Sequence, residues 1–193
     1  MKTIDYYNKH AEEYCLQTVM ADMQLHYDAI KPYIKKGTAL LDLGCGSGRD
    51  SNYFRKLGCN VISVDGSIEM CSIANRLFNL NAQNIDFSQL DYSNAFEVVW
   101  ACASLLHVPR NEIDNVLQRI YRALRENGIL YASFKYGNAE RVDGERFYND
   151  YDENSVKELF CKNKRFQVLH IWITKDVRDD YNQKWINVLC KRI

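Results

Sequence analysis

The chain has 193 residues, of which 47% are hydrophobic and 26% charged, values typical of a single globular domain. Its 25 Lys and Arg residues balance its 25 Asp and Glu residues, so no basic excess would attract nucleic acid or anionic lipid. No apolar run approaches the ~20 residues of a membrane span, and the start lacks the apolar stretch of a signal peptide, which predicts a cytoplasmic protein. The seven cysteines form no C-x-x-C pair, a pattern that favours neither a disulfide framework nor a metal site.

The first 34 residues have the spacing of two helices. The first is predicted over residues 5–14 and the second over residues 20–34, whose apolar side chains fall on one helical face. Ordinary packing is enough to explain both patterns.

A run of apolar residues then ends in three closely spaced glycines. The stretch from Leu40 to Gly48 reads LLDLGCGSG and predicts a buried parallel strand (residues 38–43) that turns sharply into a helix (residues 50–57). Glycine permits positive φ and leaves no Cβ between the backbone and a ligand, while free N–H groups at the helix start attract polar or anionic groups. The spacing departs from the dinucleotide pattern G-x-G-x-x-G, and the lysine of a Walker A loop is missing.

A carboxylate follows the next strand. That strand covers residues 60–64 and ends at Asp65, about twenty residues after the glycines, where an acid can accept hydrogen bonds from ribose hydroxyls. Several nucleotide-binding folds place an acid here, so Asp65 indicates a nucleoside without naming it. A third strand over residues 82–87 is short and polar, as an edge strand can be.

The pattern D-x-G-x-G-x-G that begins at Asp42 resembles the class I S-adenosylmethionine (SAM)-dependent methyltransferases. The later stretch A-S-L-L-H, at residues 103–107, and R-A-L-x-x-x-G-x-L, at residues 122–130, are similar to that family's second half. The resemblance is of the small-molecule type, like the tellurite-resistance and ubiquinone methyltransferases, and covers nearly the whole chain.

The resemblance implies SAM as cofactor and S-adenosylhomocysteine (SAH) as product. Asp42 and the glycine turn would hold the methionine end, Asp65 the ribose, and Ile68 with the Asp86-Phe87 pair the adenine. An ordinary acidic loop residue is the alternative for Asp86. The implied cofactor site comprises Asp42, Gly44, Cys45, Gly46, Asp65, Gly66, Ile68, Asp86, Phe87 and Ala103.

The chemistry is expected where the fourth strand (residues 96–102) ends. His107 is the candidate general base because of its pKa range, and a histidine that caps the next helix is the alternative. The pattern Tyr7-x-x-x-Ala11-x-x-Tyr14 resembles an N-terminal cap whose tyrosines close over SAM and acceptor, and Tyr7 is the second candidate catalytic residue. The motifs [DNS]-P-P-[YF] and Pro-Cys of nucleic-acid methyltransferases are absent here.

Arginines alternate with aromatic residues between the fifth strand (residues 129–134) and a helix over residues 152–161. Such side chains can bind a planar or anionic acceptor by stacking and bidentate contacts, with two arginines as a clamp for a carboxylate or phosphate. A solvated lid with internal ion pairs is the alternative. The predicted acceptor contacts are Tyr14, Lys135, Tyr136, Arg141, Arg146 and Tyr148.

The remaining elements complete an α/β fold. A helix over residues 110–126 stops at Asn127-Gly128, and two strands, 166–174 and 184–190, form a hairpin. With the resemblance, this predicts one domain: a helical cap (1–35) on a Rossmann-like core (36–193). The core is a seven-stranded, mostly parallel sheet of order 3-2-1-4-5-7-6, with strand 7 antiparallel and helices on both faces.

The predicted function is methyl transfer from SAM to a small molecule, by a monomer or homodimer with no metal and no membrane partner. The neutral charge, the short chain and the missing nucleic-acid motifs favour that acceptor class. Two alternatives stay open: a tRNA or other nucleic-acid methyltransferase, and a SAM-binding protein without catalysis.

Overall fold

The computed structural model describes residues 2–178 and 182–193. Its helices are α1 (Lys2–Lys9), α2 (Ala11–Thr18), α3 (Gln24–Ile30), α4 (Arg49–Lys56), α5 (Ile68–Phe78), α6 (Ile113–Ala123) and α7 (Glu153–Cys161). Its strands are β1 (Ala39–Leu43), β2 (Asn60–Asp65), β3 (Gln83–Asn84), β4 (Phe96–Ala101), β5 (Leu124–Lys135), β6 (Glu140–Asp143), β7 (Arg146–Asn149), β8 (Phe166–Lys175) and β9 (Lys184–Arg192).

One sheet holds seven of these strands in the order β3-β2-β1-β4-β5-β9-β8. Strand β9 runs antiparallel to β5 and β8, and the other pairs are parallel. The predicted order is confirmed, with β8 and β9 as the sixth and seventh strands. Strands β6 and β7 form a separate antiparallel hairpin that the sequence analysis did not predict.

Alternation along the strands builds a core on each face of the sheet. In β1, Leu41 packs in the cluster that contains the apolar stripe of α6, whereas Leu40 packs with Phe54 of α4 and Tyr27 of α3. Burying each such side chain stabilises the fold by about 1.5–3 kcal/mol relative to exposure. Asp42 points to the same face as Leu40, towards α4, because it lies two residues along the strand.

The N-terminal region contains three α-helices, and the prediction of two was wrong. His10, with φ −114° and ψ 20°, interrupts the helical geometry between α1 and α2. The next helix starts only at Gln24, whose backbone N–H donates to Asp22 Oδ1 at 2.8 Å, a local turn that competes with helix. A 3₁₀ turn, Lys31–Tyr33, replaces its predicted end.

Two further boundaries differ from the predictions. The α6 helix ends at Ala123, because Leu124 is fully buried and pairs with Phe96 of β4, so sheet pairing overrides the helix-forming residues that follow. Strand β3 has two residues instead of six, since Asp86 caps a 3₁₀ turn over Phe87–Gln89.

Helix α1 bridges two distant parts of the core. The Asn8 Oδ1 accepts a hydrogen bond from the hydroxyl of Ser67, the N-cap of α5, at 2.7 Å. The Thr3 hydroxyl accepts the backbone N–H of Phe147 in β7 at 2.9 Å. These contacts hold the helix across the carboxyl edge of the parallel strands.

Candidate functional site

A cavity of about 780 Å³ opens at the carboxyl ends of β1, β2, β4 and β5, under α1, α2 and the β6–β7 hairpin. This edge is where parallel α/β sheets bind ligands. Fourteen of the eighteen predicted site residues line the cavity: Tyr7, Tyr14, Gly44, Cys45, Gly46, Asp65, Gly66, Asp86, Phe87, Ala103, His107, Lys135, Arg146 and Tyr148. The four that do not line it are Asp42, Ile68, Tyr136 and Arg141.

The glycine turn follows the C-terminal end of β1, and its glycines adopt left-handed backbone conformations. Gly44, Gly46 and Gly48 have φ of 80°, 52° and 83°. A Cβ on Gly44 would lie 2.4 Å from the Cβ of Ser104, so the turn must pass close to the end of β4. A Cβ on Gly46 would meet no protein atom within 4 Å and would instead extend into open space.

Asp65 fixes this turn from the neighbouring strand. Its Oδ2 accepts the N–H of Gly46 at 2.9 Å and its Oδ1 accepts the N–H of Ser67 at 2.8 Å. Burial raises the pKa of this carboxyl, and the two backbone hydrogen bonds oppose the shift. Each oxygen keeps a lone pair, so the carboxylate can accept two more hydrogen bonds from a ligand in the cavity. We call Gly44, Cys45, Gly46, Asp65 and Gly66 the glycine edge.

Asp42 lies beneath the glycine edge. The family resemblance instead implies that Asp42 contacts the cofactor directly. Its Oδ2 accepts the hydroxyl of Ser51 in α4 at 2.6 Å. Burial raises the pKa of Asp42 above its ordinary value, with the neighbouring Asp50 adding to the shift and the Ser51 hydrogen bond opposing it. Strand alternation therefore points Asp42 at α4, and its side chain lies outside the cavity lining.

The predicted adenine contacts divide between the cavity and the surface. Asp86 and Phe87 line the cavity beside the glycine edge. Oδ1 of Asp86 accepts both the backbone N–H and the hydroxyl of Ser88, at 2.8 and 2.6 Å. Ile68 is 58% exposed and lies outside the cavity lining.

The end of β4 carries a strained backbone and an unpaired hydroxyl. Ala103 has φ 51°, which is uncommon for a residue with a Cβ, and its N–H donates to the hydroxyl of Ser133 at 2.8 Å. Ser104 is 5% exposed, and its Oγ has no hydrogen-bond partner among the described residues. Buried polar atoms are normally paired, so a ligand is a natural partner for this hydroxyl. Ser104 was not predicted as a site residue, although it lies only three residues beyond the end of β4.

His107 and Tyr7 meet across the cavity. His107 Nδ1 lies 2.7 Å from the carbonyl oxygen of Phe147, which can only accept, so Nδ1 carries the proton. Its Nε2 lies 3.0 Å from the Tyr7 hydroxyl and accepts from it. Burial lowers the pKa of His107 to about 4, and Arg146 and Lys135 add to the shift. Burial also raises the pKa of Tyr7, so both groups are neutral at pH 7.

Cations surround the ring of Tyr148 at the same end of the cavity. Lys135 Nζ lies 3.7 Å from the ring centroid, and the guanidinium carbons of Arg141 and Arg146 lie 4.9 and 5.4 Å away. Arg141 Nε donates to Asp150 at 2.7 Å, so its charge is already paired. We call Tyr7, His107, Lys135, Arg146 and Tyr148 the hairpin side of the cavity.

The two predictions for the 133–151 segment each fit part of it. Arg141 forms internal ion pairs, as expected of a lid residue, and the half-buried Tyr136 donates its hydroxyl to Glu153 at 3.0 Å. Lys135 and Arg146 instead face the cavity. Tyr14 belongs with them, since its ring lies edge-on to Tyr7 at 5.0 Å.

A largely buried ion pair in the cavity wall was not predicted either. Arg49 binds both oxygens of Asp50, at 2.6 and 3.0 Å, and donates to the carbonyl of Thr18 in α2. Asp50 also accepts from Tyr27 and Trp100, at 2.6 and 2.9 Å. These partners come from four separate elements, so no local pattern in the sequence indicates the network.

Metal-binding clusters and membrane-spanning helices are both absent from the described residues. In residues 2–178 and 182–193, no group of three His, Cys, Asp or Glu side chains is arranged to hold a metal ion. No helix in these same ranges combines the length and apolarity that a membrane crossing requires.

Comparison with known proteins links the cavity to one family. Residues 40–128 match the family described as "Methyltransferase domain". Sterol 24-C-methyltransferase of Saccharomyces cerevisiae is 30% identical over 127 residues, 61% of this chain and 32% of that protein. Malonyl-[acyl-carrier protein] O-methyltransferase of Pectobacterium atrosepticum is 30% identical over 151 residues, 69% of this chain and 56% of that protein. The chain thus spans about a third to just over half of these relatives.

A solved structure shares the fold over nearly the whole chain. The 1,6-didemethyltoxoflavin-N1-methyltransferase of Burkholderia thailandensis, solved with 1,6-didemethyltoxoflavin and SAH, has a TM-score of 0.78 at 20% identity. The match covers 98% of this chain and 84% of that one. The chain thus has the fold of that enzyme, and its residues 40–128, which carry the D-x-G-x-G-x-G motif, are similar to the methyltransferase family.

Proposed function

We propose that this protein binds SAM at the glycine edge and transfers its methyl group to a small-molecule acceptor on the hairpin side. The observation that carries this proposal is a single cavity that joins the two sets of residues. One end offers backbone and carboxylate groups suited to a nucleoside, and the other offers aromatic rings, two cations and a neutral His–Tyr pair.

The glycine edge fits SAM on three counts. Gly46 borders open space that a side chain would fill, and Asp65 keeps lone pairs for ribose hydroxyls. Ser104 Oγ is a buried hydroxyl that lacks a protein partner within the described residues. Gly44, Gly46, Asp65, Asp86, Phe87 and Ser104 would hold the cofactor.

SAM, when bound, supplies a methyl group activated by a positively charged sulfur. The protein then has to orient the acceptor and exclude water. Helices α1 and α2 and the β6–β7 hairpin cover the cavity, and Thr3 ties the helix to the hairpin. This cover provides the water exclusion that the reaction needs.

The His107–Tyr7 pair can accept a proton from an acceptor that must lose one. An acceptor X–H would donate to the Tyr7 oxygen while the Tyr7 proton passes to Nε2 of His107. The low pKa of His107 keeps Nε2 free at pH 7 but also makes it a weak base. The main role of the pair is therefore to orient the acceptor, with proton acceptance as a lesser contribution.

The finer parts of this assignment are proposals as well. The acceptors named for the relatives, a sterol carbon and 1,6-didemethyltoxoflavin among them, support a small molecule as acceptor. The likeness to tellurite-resistance and ubiquinone methyltransferases, the cytoplasmic location and the monomeric or homodimeric state stay predictions.

The test is incubation with methyl-labelled SAM and a cell extract divided into small molecules, nucleic acid and protein. Label in the small-molecule fraction is the expected result. Label in nucleic acid would support the alternative of a tRNA or other nucleic-acid methyltransferase. SAM binding by calorimetry without label in any fraction would support a binding protein without catalysis.

A further inference from the structure

Two cations face the cavity on its hairpin side. Lys135 is the last residue of β5 and Arg146 the first of β7, and both line the cavity. They contact one ring, that of Tyr148, with Lys135 Nζ 3.7 Å and the Arg146 guanidinium carbon 5.4 Å from its centroid. Two positive charges are therefore concentrated beside a single aromatic surface.

These cations differ from Arg141 and Arg49 because neither forms a direct ion pair among the described residues. Arg141 binds Asp150 at 2.7 Å, and Arg49 binds Asp50 at 2.6 Å. Within residues 2–178 and 182–193, no carboxylate oxygen lies within 4 Å of a Lys135 or Arg146 side-chain nitrogen. Burial and the charges of Arg141 and Arg146 lower the pKa of Lys135 to about 8. Asp143 and Asp150 oppose this shift from a distance, so neither cation has a direct ion-pair partner, and a bound anion would supply one.

The position of the pair separates it from the glycine edge. In the sheet, β4 lies between β5 and β1, so the ends of β5 and β1 are about 10 Å apart at ~4.8 Å per strand. The pair instead adjoins the His107–Tyr7 contact: the His107 ring lies 5.1 Å from the Tyr148 ring, and Arg146 packs over Tyr6 at 4.7 Å. A group bound there would sit beside the proposed acceptor position.

We propose that the methyl acceptor is a small organic anion whose carboxylate or phosphate binds between Lys135 and Arg146, beside the ring of Tyr148. This inference rests on the proposed function and names its substrate class. An arginine presents paired donors to either group, and a lysine adds a point charge. Arg141 and Asp150 hold the hairpin that carries Arg146 and do not bind the acceptor themselves.

The test begins with a small-molecule extract separated on an anion exchanger into a retained and an unretained fraction. Each fraction is incubated with the protein and methyl-labelled SAM. We expect label only with the retained, anionic fraction. Phosphatase treatment of that fraction then distinguishes the two chemistries, since it would abolish labelling of a phosphate ester and spare a carboxylate.

Variants test whether the anion binds to Lys135 and Arg146. With the labelled acceptor, Arg146→Gln and Lys135→Gln should each lower kcat/KM about tenfold or more, while SAH affinity measured by calorimetry stays unchanged. Arg146→Lys should recover part of the loss. Lys157→Gln, which removes the same charge from an exposed position on α7, is the matched control and should behave as wild type.

Three outcomes would overturn the inference, and they differ from a failure of the proposed function. Label with the unretained fraction, or normal turnover by both variants, would show that the acceptor is not bound as an anion here. Loss of SAH affinity in both variants would assign the pair to the cofactor's own carboxylate. No label with any fraction, despite SAH binding, would instead remove the proposed transfer and this inference with it.

Discussion

The two ends of the cavity are built from different kinds of chemical group. The glycine edge is made largely of backbone groups, fixed by adjacent strands and by both oxygens of Asp65. The hairpin side is made of side chains from α1, β5, β7 and the 3₁₀ turn Leu105–His107, which meet only in the folded chain. The first is suited to a ligand shared by a whole family, and the second can change with the acceptor while the sheet remains the same.

The largest effect is expected from a variant that disrupts only the glycine edge. Gly46→Val should lower SAH affinity about 100-fold or more, about 3 kcal/mol, because its side chain would extend into the space proposed for the cofactor. Positive φ would also cost the variant about 1–2 kcal/mol of stability.

Gly144→Val is the matched control for that variant. Gly144 has φ 61° and open space around it, but it lies at the hairpin turn, outside the cavity lining. Calorimetry and urea unfolding should show similar stability losses in both variants and a binding loss only at Gly46. Unchanged SAH affinity in Gly46→Val would mean that the turn does not contact the cofactor.

Asp65→Ala tests the same end through a side chain. Its loss should weaken SAH binding by about 1.5–3 kcal/mol, the range for hydrogen bonds to a charged group. Asp91→Ala serves as control, because Asp91 is an exposed acid paired only loosely with Arg122, at 3.7 Å. Wild-type affinity in the Asp65 variant, measured by calorimetry, would exclude it from the ribose site.

The glycine edge is easier to predict from the sequence than the hairpin side, because it is built from neighbouring residues and backbone groups. The strand, glycine turn and Asp65 are local patterns, and the structure brings them together as expected. Asp42 was assigned to the cofactor site from the family resemblance, whereas strand alternation turns its side chain towards Ser51, and its cofactor role stays a prediction.

Contacts distant in sequence could not be predicted in the same way. Asp50 accepts from Tyr27 and Trp100, which lie 23 and 50 residues away, and Thr3 of α1 bonds Phe147 of β7. On the hairpin side, the sequence does not indicate which arginine is paired: only the structure shows that Asp150 pairs with Arg141, while Arg146 faces the cavity.

The pH dependence of stability tests the environment of His107. Its pKa of about 4 in the folded protein lies below the value near 6.5 of an unfolded chain. Between those values the unfolded chain binds a proton that the folded chain does not, so stability falls as the pH falls through this window.

His107→Gln should therefore lose less stability than wild type on acidification. The difference should reach up to about 2 kcal/mol between pH 6.5 and pH 5, at 1.36 kcal/mol per pKa unit. Urea unfolding at both pH values measures it. Equal losses in the two proteins would indicate that His107 is solvated and freely protonated.

The smallest effect concerns Lys135. Its pKa of about 8 is lowered by burial, Arg141 and Arg146, while Asp143 and Asp150 act in the opposite direction. The protonated form of Lys135 attracts an anion. As the pH rises from 7 to 9 and this form is lost, kcat/KM for an anionic acceptor should fall roughly three-fold. Lys135→Gln should lack this inflection and Lys157→Gln should keep it; an identical profile in all three proteins would contradict a role for Lys135.

Calorimetric titration with SAH and with NAD, on wild type, Asp65→Ala and Arg146→Gln, tests the division of the cavity most directly. We predict micromolar SAH binding and no NAD binding by wild type. SAH binding should be strongly weakened in Asp65→Ala and unchanged in Arg146→Gln. NAD binding by wild type, or equal loss of SAH affinity in both variants, would contradict a cavity with a cofactor end and a separate acceptor end.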